Sequence, residues 1–135
     1  SKAEPIEYPN ILSDLKTVRM KGYPKESVVA EKFHAMIRHG DLNSRMKDYY
    51  DVWMLQRGFK IDEARLQRAI AATFARRCTD LPVTTPEGLS DAFADDPGKQ
   101  AQWNAFVRNL SAPGPTLAEV VKDLQAWLLN VFKAR

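Results

Sequence analysis

The sequence predicts a mainly α fold: a compact bundle of about six helices with a short extended or β segment at the N-terminus. Three observations predict it. Beyond residue 24, apolar residues recur at i, i+3, i+4 and i+7 in one stretch after another. Capping residues, Pro and Gly bracket those stretches where helices start and stop. Short β-branched runs bounded by Pro and Gly are confined to residues 1–24.

Composition supports one packed domain. A chain of 135 residues with 44% hydrophobic side chains, three Trp and six Phe has ample material for a core, and wholesale disorder is excluded. The net charge of +3 and pI near 9.1 are mildly basic. That balance is compatible with a nucleotide or RNA partner, although no long Lys/Arg run marks one. Cys78 is the single cysteine, which excludes a disulfide framework and a C-x-x-C metal site. It stands far in sequence from both histidines and reads as a bystander. No run of about 18 apolar residues is present, and the N-terminus lacks the apolar core of a secretion signal. A reducing, cytoplasmic setting is expected.

Residues 1–24 read as extended. Thr17, Val18 and Met20 suit a short strand, and Pro9 confines the earlier part to an edge or turn. The first helix is expected over 24–39. Pro24 suits a first helical position, and Glu26 complements the dipole. Val28, Val29, Phe33, Met36 and Ile37 form its apolar arc. Lys32 falls inside that arc, so it must snorkel out or be buried beside a partner.

After a polar turn over 40–44 the second helix runs over 45–57, with Asn43 or Ser44 as cap. Met46, Tyr49, Tyr50, Trp53 and Met54 make one apolar face, expected to meet the first helix through Phe33, Met36, Tyr50 and Trp53. Asp48 and Asp51, three apart, share the other face. On general grounds that face is solvated, with Lys47 paired to Asp51 four residues on. Two carboxylates so placed can also hold a hard cation such as Mg²⁺ or orient a nucleophile, and Arg45 brings a planar fork suited to phosphate.

Asp62 caps a third helix over 63–77, whose inner face is Leu66, Ala69, Ile70, Thr73 and Phe74. Arg76 and Arg77 in its last turn complement the dipole or meet RNA phosphates. A linker over 79–85 leads to a short helix, 86–93, capped by Thr85 and facing inward through Leu89 and Phe93. Asp95-Asp96-Pro97 opens the next helix, where Trp103, Phe106, Val107 and Leu110 read as core rather than as a base-stacking platform. Thr116-Leu117-Ala118-Glu119 is a capping box. It starts a final helix whose stripe is Leu117, Val120, Val121, Leu124, Trp127, Leu128, Val131 and Phe132, widened by Leu129.

The stretch GYPKESVVAEKFHAM followed by NSRMKDYYDVWML resembles the C-terminal signature of AbiEii-type nucleotidyltransferases, the toxin halves of bacterial abortive-infection and toxin–antitoxin pairs. The matching motifs are Ala30-Glu31-Lys32 and, on the next helix, an R-x-K-D-x-x-D pattern from Arg45 to Asp51. The resemblance implies that Lys32 and Asp48 are required parts of the transfer site, with Asp51 as a second acid; Arg45 and Lys47 beside them are the expected substrate-binding cations. It implies Mg²⁺, an NTP, a cognate antitoxin, and as acceptor a tRNA 3′ end in some members, with GTP binding in others. The family's metal motif, a G-S turn followed by D-x-D, has no counterpart here. The expectation is therefore an extended segment, 1–24, leaving an absent N-terminal sheet, and a helical domain, 25–135, with no metal site of its own.

Three readings of function follow. The first is the C-terminal helical part of a nucleotidyltransferase-like toxin, itself inactive. The second is a non-catalytic helical module that binds an antitoxin or RNA and uses Lys32 and Asp48 as a structural ion pair. A helix-turn-helix DNA binder is the third; acids on the exposed face of the second helix oppose it, since phosphates repel them.

Overall fold

The computed structural model describes residues 23–39, 45–110 and 113–133. Among them are α1 (Lys25–His39), α2 (Met46–Gly58), α3 (Glu63–Arg76), a 3₁₀ turn (Glu87–Leu89), α4 (Asp91–Asp95), α5 (Pro97–Val107) and α6 (Leu117–Lys133). The described residues contain no strand, and the mainly α class stands. The strand expected at Thr17, Val18 and Met20 lies outside the described residues, as does the 40–44 turn.

Helix α1 packs chiefly on α3 and then on α2, while α2 also rests on α6 and α5. Val29, Ala30, Phe33 and Met36 are buried, with Val28 and Ile37 half-buried beside them. Phe33 meets Phe74 of α3 at 5.6 Å and Phe132 of α6 at 5.8 Å between ring centroids. Three helices therefore converge on one ring. Pro24 stands just ahead of the helix, its carbonyl accepting from the Val28 N–H at 3.3 Å. It is a capping residue rather than the first helical one. Glu26 is buried, and its carboxylate accepts the Asp62 N–H at 2.8 Å. The first turn of α1 is thereby tied to the start of α3. Asp62 caps α3 as expected, accepting from the Arg65 N–H at 3.0 Å.

Helix α2 departs most from its predicted form. Its cap position is Arg45, extended and without a side-chain cap bond, instead of Asn43 or Ser44. It is buried nearly all round: Met46, Asp48, Tyr49, Tyr50, Asp51, Val52, Met54 and Leu55 are all inside. The reason is its central place among α1, α5 and α6. Tyr50 turns toward α5, with Phe106 at 5.6 Å and Trp103 at 6.5 Å. Trp53 is half-buried and faces α6, its indole N–H donating to Asp123 at 2.9 Å while the Arg57 guanidinium lies 4.7 Å over the ring. The expected seam with α1 through Tyr50 and Trp53 is thus incorrect; those aromatics serve the far side of the helix.

The 86–93 helix is two elements. Ser90, extended, ends the 3₁₀ turn and caps α4 by accepting from the Phe93 N–H at 3.1 Å. A serine that can bond the backbone interrupts the helix and restarts it. Leu89 and Phe93 still point inward. Phe93 stacks on Tyr49, whose hydroxyl donates to the Gly88 carbonyl at 2.7 Å. Asp96 caps α5 with Pro97 first in the helix. Trp103 is buried and donates to the Pro115 carbonyl at 2.8 Å; Phe106, Val107 and Leu110 are half-buried against the core. The Thr116–Glu119 capping box forms in both directions, at 2.9 and 3.1 Å. The predicted stripe of α6 is buried in full, with Leu129 half-buried.

Helix α3 ends in a Schellman motif. The Thr79 N–H reaches the Phe74 carbonyl and the Cys78 N–H the Ala75 carbonyl, with Cys78 left-handed at φ 52. Glycine is the usual residue there, because a Cβ costs about 1 kcal/mol or more in that conformation. Cys78 is exposed, so its side chain gives little packing in return. Cys78→Gly is expected to stabilise the fold by about 1 kcal/mol and raise the melting temperature by about 2–5 °C. A lower melting temperature would show that the thiol contributes more than the strain costs.

Candidate functional site

At the α1–α2 seam a cluster of charges stands where apolar contacts were expected. The Lys32 ammonium lies 3.2 Å from Asp48 Oδ1 and 3.2 Å from Asp51 Oδ2. Asp48 and Asp51 are 3% and 0% exposed, whereas the Lys32 side chain keeps 19%. Arg45 Nε is 3.4 Å from Asp48 Oδ2, and Lys47 Nζ donates to Asp51 Oδ2 at 2.6 Å. The three-residue spacing does place both acids on one side of α2. That side faces α1 rather than water, so the solvated charged face expected from sequence is corrected. Three cations against two carboxylates make such burial tolerable.

The cluster opens to solvent on two sides. One cleft of about 470 Å³ is lined by Lys32 and Asp48 together with Arg38, Arg45 and Arg77. Another of about 710 Å³ is lined by Lys32, Tyr23, Arg76 and Arg77. Of the sequence-predicted residues, Lys32, Asp48 and Arg45 line the first cleft. Asp51 lies behind them, and Lys47 is held by Asp51 without lining either cleft.

Sequence reasoning missed Glu31, His34, Arg38 and His39, which also line the first cleft. Helical spacing carried the signal: Lys32, Ala35 and His39 follow one row of α1, and Glu31 and Arg38 flank it. Arg76 and Arg77 were assigned to the helix dipole or to phosphates; in the fold both clasp the Glu31 carboxylate. His34 is buried edge-on to Phe74, 5.1 Å between centroids. Its Nε2 is 2.9 Å from the Thr79 hydroxyl, which itself donates to the Arg77 carbonyl at 3.0 Å. The hydroxyl must therefore accept from the ring, which assigns the Nε2–H tautomer. Burial first, then the nearby Arg77 charge, hold the imidazole below its ordinary value of 6.5, with Glu31 opposing.

Among the described residues no three His, Cys, Asp or Glu side chains stand together as a metal site. Asp48 and Asp51 alone do not fit Mg²⁺, because the Lys32 ammonium already bridges the two carboxylates.

A family model described as "Nucleotidyl transferase AbiEii toxin, Type IV TA system" matches residues 1–130. The chain belongs to the AbiEii nucleotidyl transferase toxin family. No curated protein and no solved structure matches it. Membership gives this AbiEii chain a nucleotidyl-transfer toxin role, and a type IV toxin–antitoxin system implies an antitoxin partner and a nucleotide substrate. Among the described residues no helix is long and apolar enough to cross a membrane.

The buried charges of the AbiEii chain make two predictions about stability. Lys32→Met leaves Asp51 and Asp48 short of a cation and should cost about 1–3 kcal/mol, less than a fully orphaned pair because Lys47 and Arg45 remain. Adding Asp51→Asn should recover part of that loss in thermal melts. Unchanged melting of Lys32→Met would mean that the ammonium is dispensable to the seam. His34 gives the second prediction. A depressed folded value means the unfolded chain binds the proton more readily. The stabilisation is then complete above about pH 6.5 and is lost as pH falls through the folded value. Asp62, held low chiefly by the Arg65 N–H, acts only below its ordinary 3.8 and stays outside that window. Between about pH 7.5 and 5.5 the native melting temperature should fall more steeply than that of His34→Gln. Equal slopes would remove His34 as the cause.

Proposed function

We propose that this chain is the helical portion of a toxin that transfers a nucleotidyl group from an NTP to an acceptor, with Lys32, Asp48 and Asp51 as its share of the site. One observation carries the reading: two buried aspartates and the half-buried Lys32 that bridges them open into a cleft lined by Arg38, Arg45 and Arg77. Charge held in a half-dry cleft acts on phosphates more strongly than the same charge in water.

In this reading the Lys32 ammonium meets the phosphates of the NTP and Arg45 steadies them from the rim. Asp48 orients the acceptor hydroxyl and takes its proton as the oxygen bonds to the α-phosphorus and the bond to pyrophosphate breaks. Asp51 touches no substrate; it positions Lys32 and Lys47. Lys47, engaged with Asp51 and away from both clefts, moves from substrate binding to this supporting role. Mg²⁺, expected of such chemistry, neutralises phosphate charge when bound, and the described residues do not form its site. With no D-x-D among its 135 residues, the chain by itself is proposed to be inactive. A tRNA acceptor, a cognate antitoxin and a bacterial cytoplasmic setting complete the proposal.

The depth of the ion pairs supports a second reading, a non-catalytic module in which the same cluster only joins α1 to α2 and the surface binds antitoxin or RNA. Conservative variants separate the two. Lys32→Arg keeps the charge but moves it, and Asp48→Asn keeps the shape. In the intact toxin each should leave the fold standing and reduce nucleotide transfer and growth arrest about 100-fold, as small displacements of a reacting group do. Full toxicity in both variants would leave the structural module as the better account. Labelled NTPs, Mg²⁺ and total tRNA with this chain alone should yield no labelled RNA, and clear labelling would show that the chain holds a complete site.

A further inference from the structure

Glu31 stands between the two clefts and lines both, as do Lys32 and Arg77. Its carboxylate is held by two arginines from the end of α3. Arg76 Nη2 bonds Oε2, and Arg77 bonds Oε1 through Nε at 3.1 Å and Nη2 at 3.0 Å. All three side chains are solvent-exposed. Exposed ion pairs contribute little to folding, and the α1–α3 contact already has the Phe33–Phe74 rings and the Glu26–Asp62 bond. The clasp is therefore weak enough to open without loss of the fold.

We propose that Glu31 is a displaceable internal counter-anion, occupying a guanidinium fork that takes the polyphosphate chain of a nucleotide. This rests on the transfer reading and assigns a phosphate subsite within it. Each Glu31 oxygen has its own guanidinium, an arrangement that non-bridging phosphate oxygens reproduce. A polyphosphate brings more negative charge than one carboxylate and so competes for the fork. Lys32 and Arg45, which border the first cleft beside Arg77, extend the same positive lining toward the buried aspartates. The C-terminal end of α3 opposes an anion through its dipole. The Schellman bonds to the Phe74 and Ala75 carbonyls reduce that opposition by satisfying the groups that carry it.

The test is calorimetric binding of inorganic tripolyphosphate to the intact toxin at low salt. Glu31→Gln removes the competitor and should tighten binding about fivefold, the factor equivalent to about 1 kcal/mol. Arg76→Gln combined with Arg77→Gln should weaken it at least about tenfold. Both variants should melt within about 2 °C of the parent, as losses of exposed pairs do. Unchanged or weaker binding in Glu31→Gln overturns the proposal. A 5′-hydroxyl single-stranded RNA serves as the second probe; if it responds to these substitutions and tripolyphosphate does not, the fork reads phosphodiesters and the proposal falls. The measurement needs no turnover, so it is separable from the transfer reading. Asp48→Asn should reduce transfer about 100-fold while the Glu31→Gln tightening of tripolyphosphate persists in its background. Retained transfer in Asp48→Asn beside a Glu31→Gln response would remove the catalytic role and leave the anion site.

Discussion

Two carboxylates inside a helical core must be neutralised, and α1 and α2 are arranged around meeting that demand. Asp48 and Asp51 are buried on the helix that α1, α5 and α6 enclose. Neither can ionise there without a cation close by. Lys32 reaches across the seam to both, while Arg45 and Lys47 approach from the same helix. The lysine side chain keeps 19% exposure and lines both clefts. That single geometry joins α1 to α2 and forms part of the wall of the cleft.

Most of the helix positions were legible because local chemistry decides them. Asp62, Asp96 and Thr116 are capping residues whose side chains bond the first turn wherever the helix packs. The stripe of α6 is broad enough to have one possible inside. What stayed hidden was which side of α2 faces what. An apolar face and a charged face suggest one wet side, and only the packing of α1, α5 and α6 around the helix removes it. Trp53 illustrates the ambiguity, since its ring is apolar but its N–H needed Asp123, 70 residues away. Ser90 hid for the opposite reason: a single hydroxyl redirected the backbone inside a run that otherwise reads as helix.

At the site, spacing showed that Asp48 and Asp51 belong together, and the family signature pointed to Lys32 as their companion. The convergence itself came from tertiary structure. Glu31, His34 and Arg77 were opaque because their roles depend on one another across α1 and α3. Spacing puts Glu31 on the cleft side of α1 and marks Arg77 as a helix-end cation, but their pairing appears only when the Schellman turn brings Thr79 under the imidazole and Arg77 beside the glutamate.

Each of the three tryptophans has its indole N–H tied to a different part of the molecule: Trp53 to Asp123 in α6, Trp103 to the Pro115 carbonyl ahead of α6, and Trp127 to Glu63 at the start of α3. The emission of an indole depends on its burial and on the polar group at its nitrogen. The chain thus carries three built-in optical reporters, one at the α2–α6 contact, one at the α5–α6 connection and one at the α3–α6 contact. Single-tryptophan versions would resolve which junction loosens first when the molecule is heated or when a partner docks, without any added label.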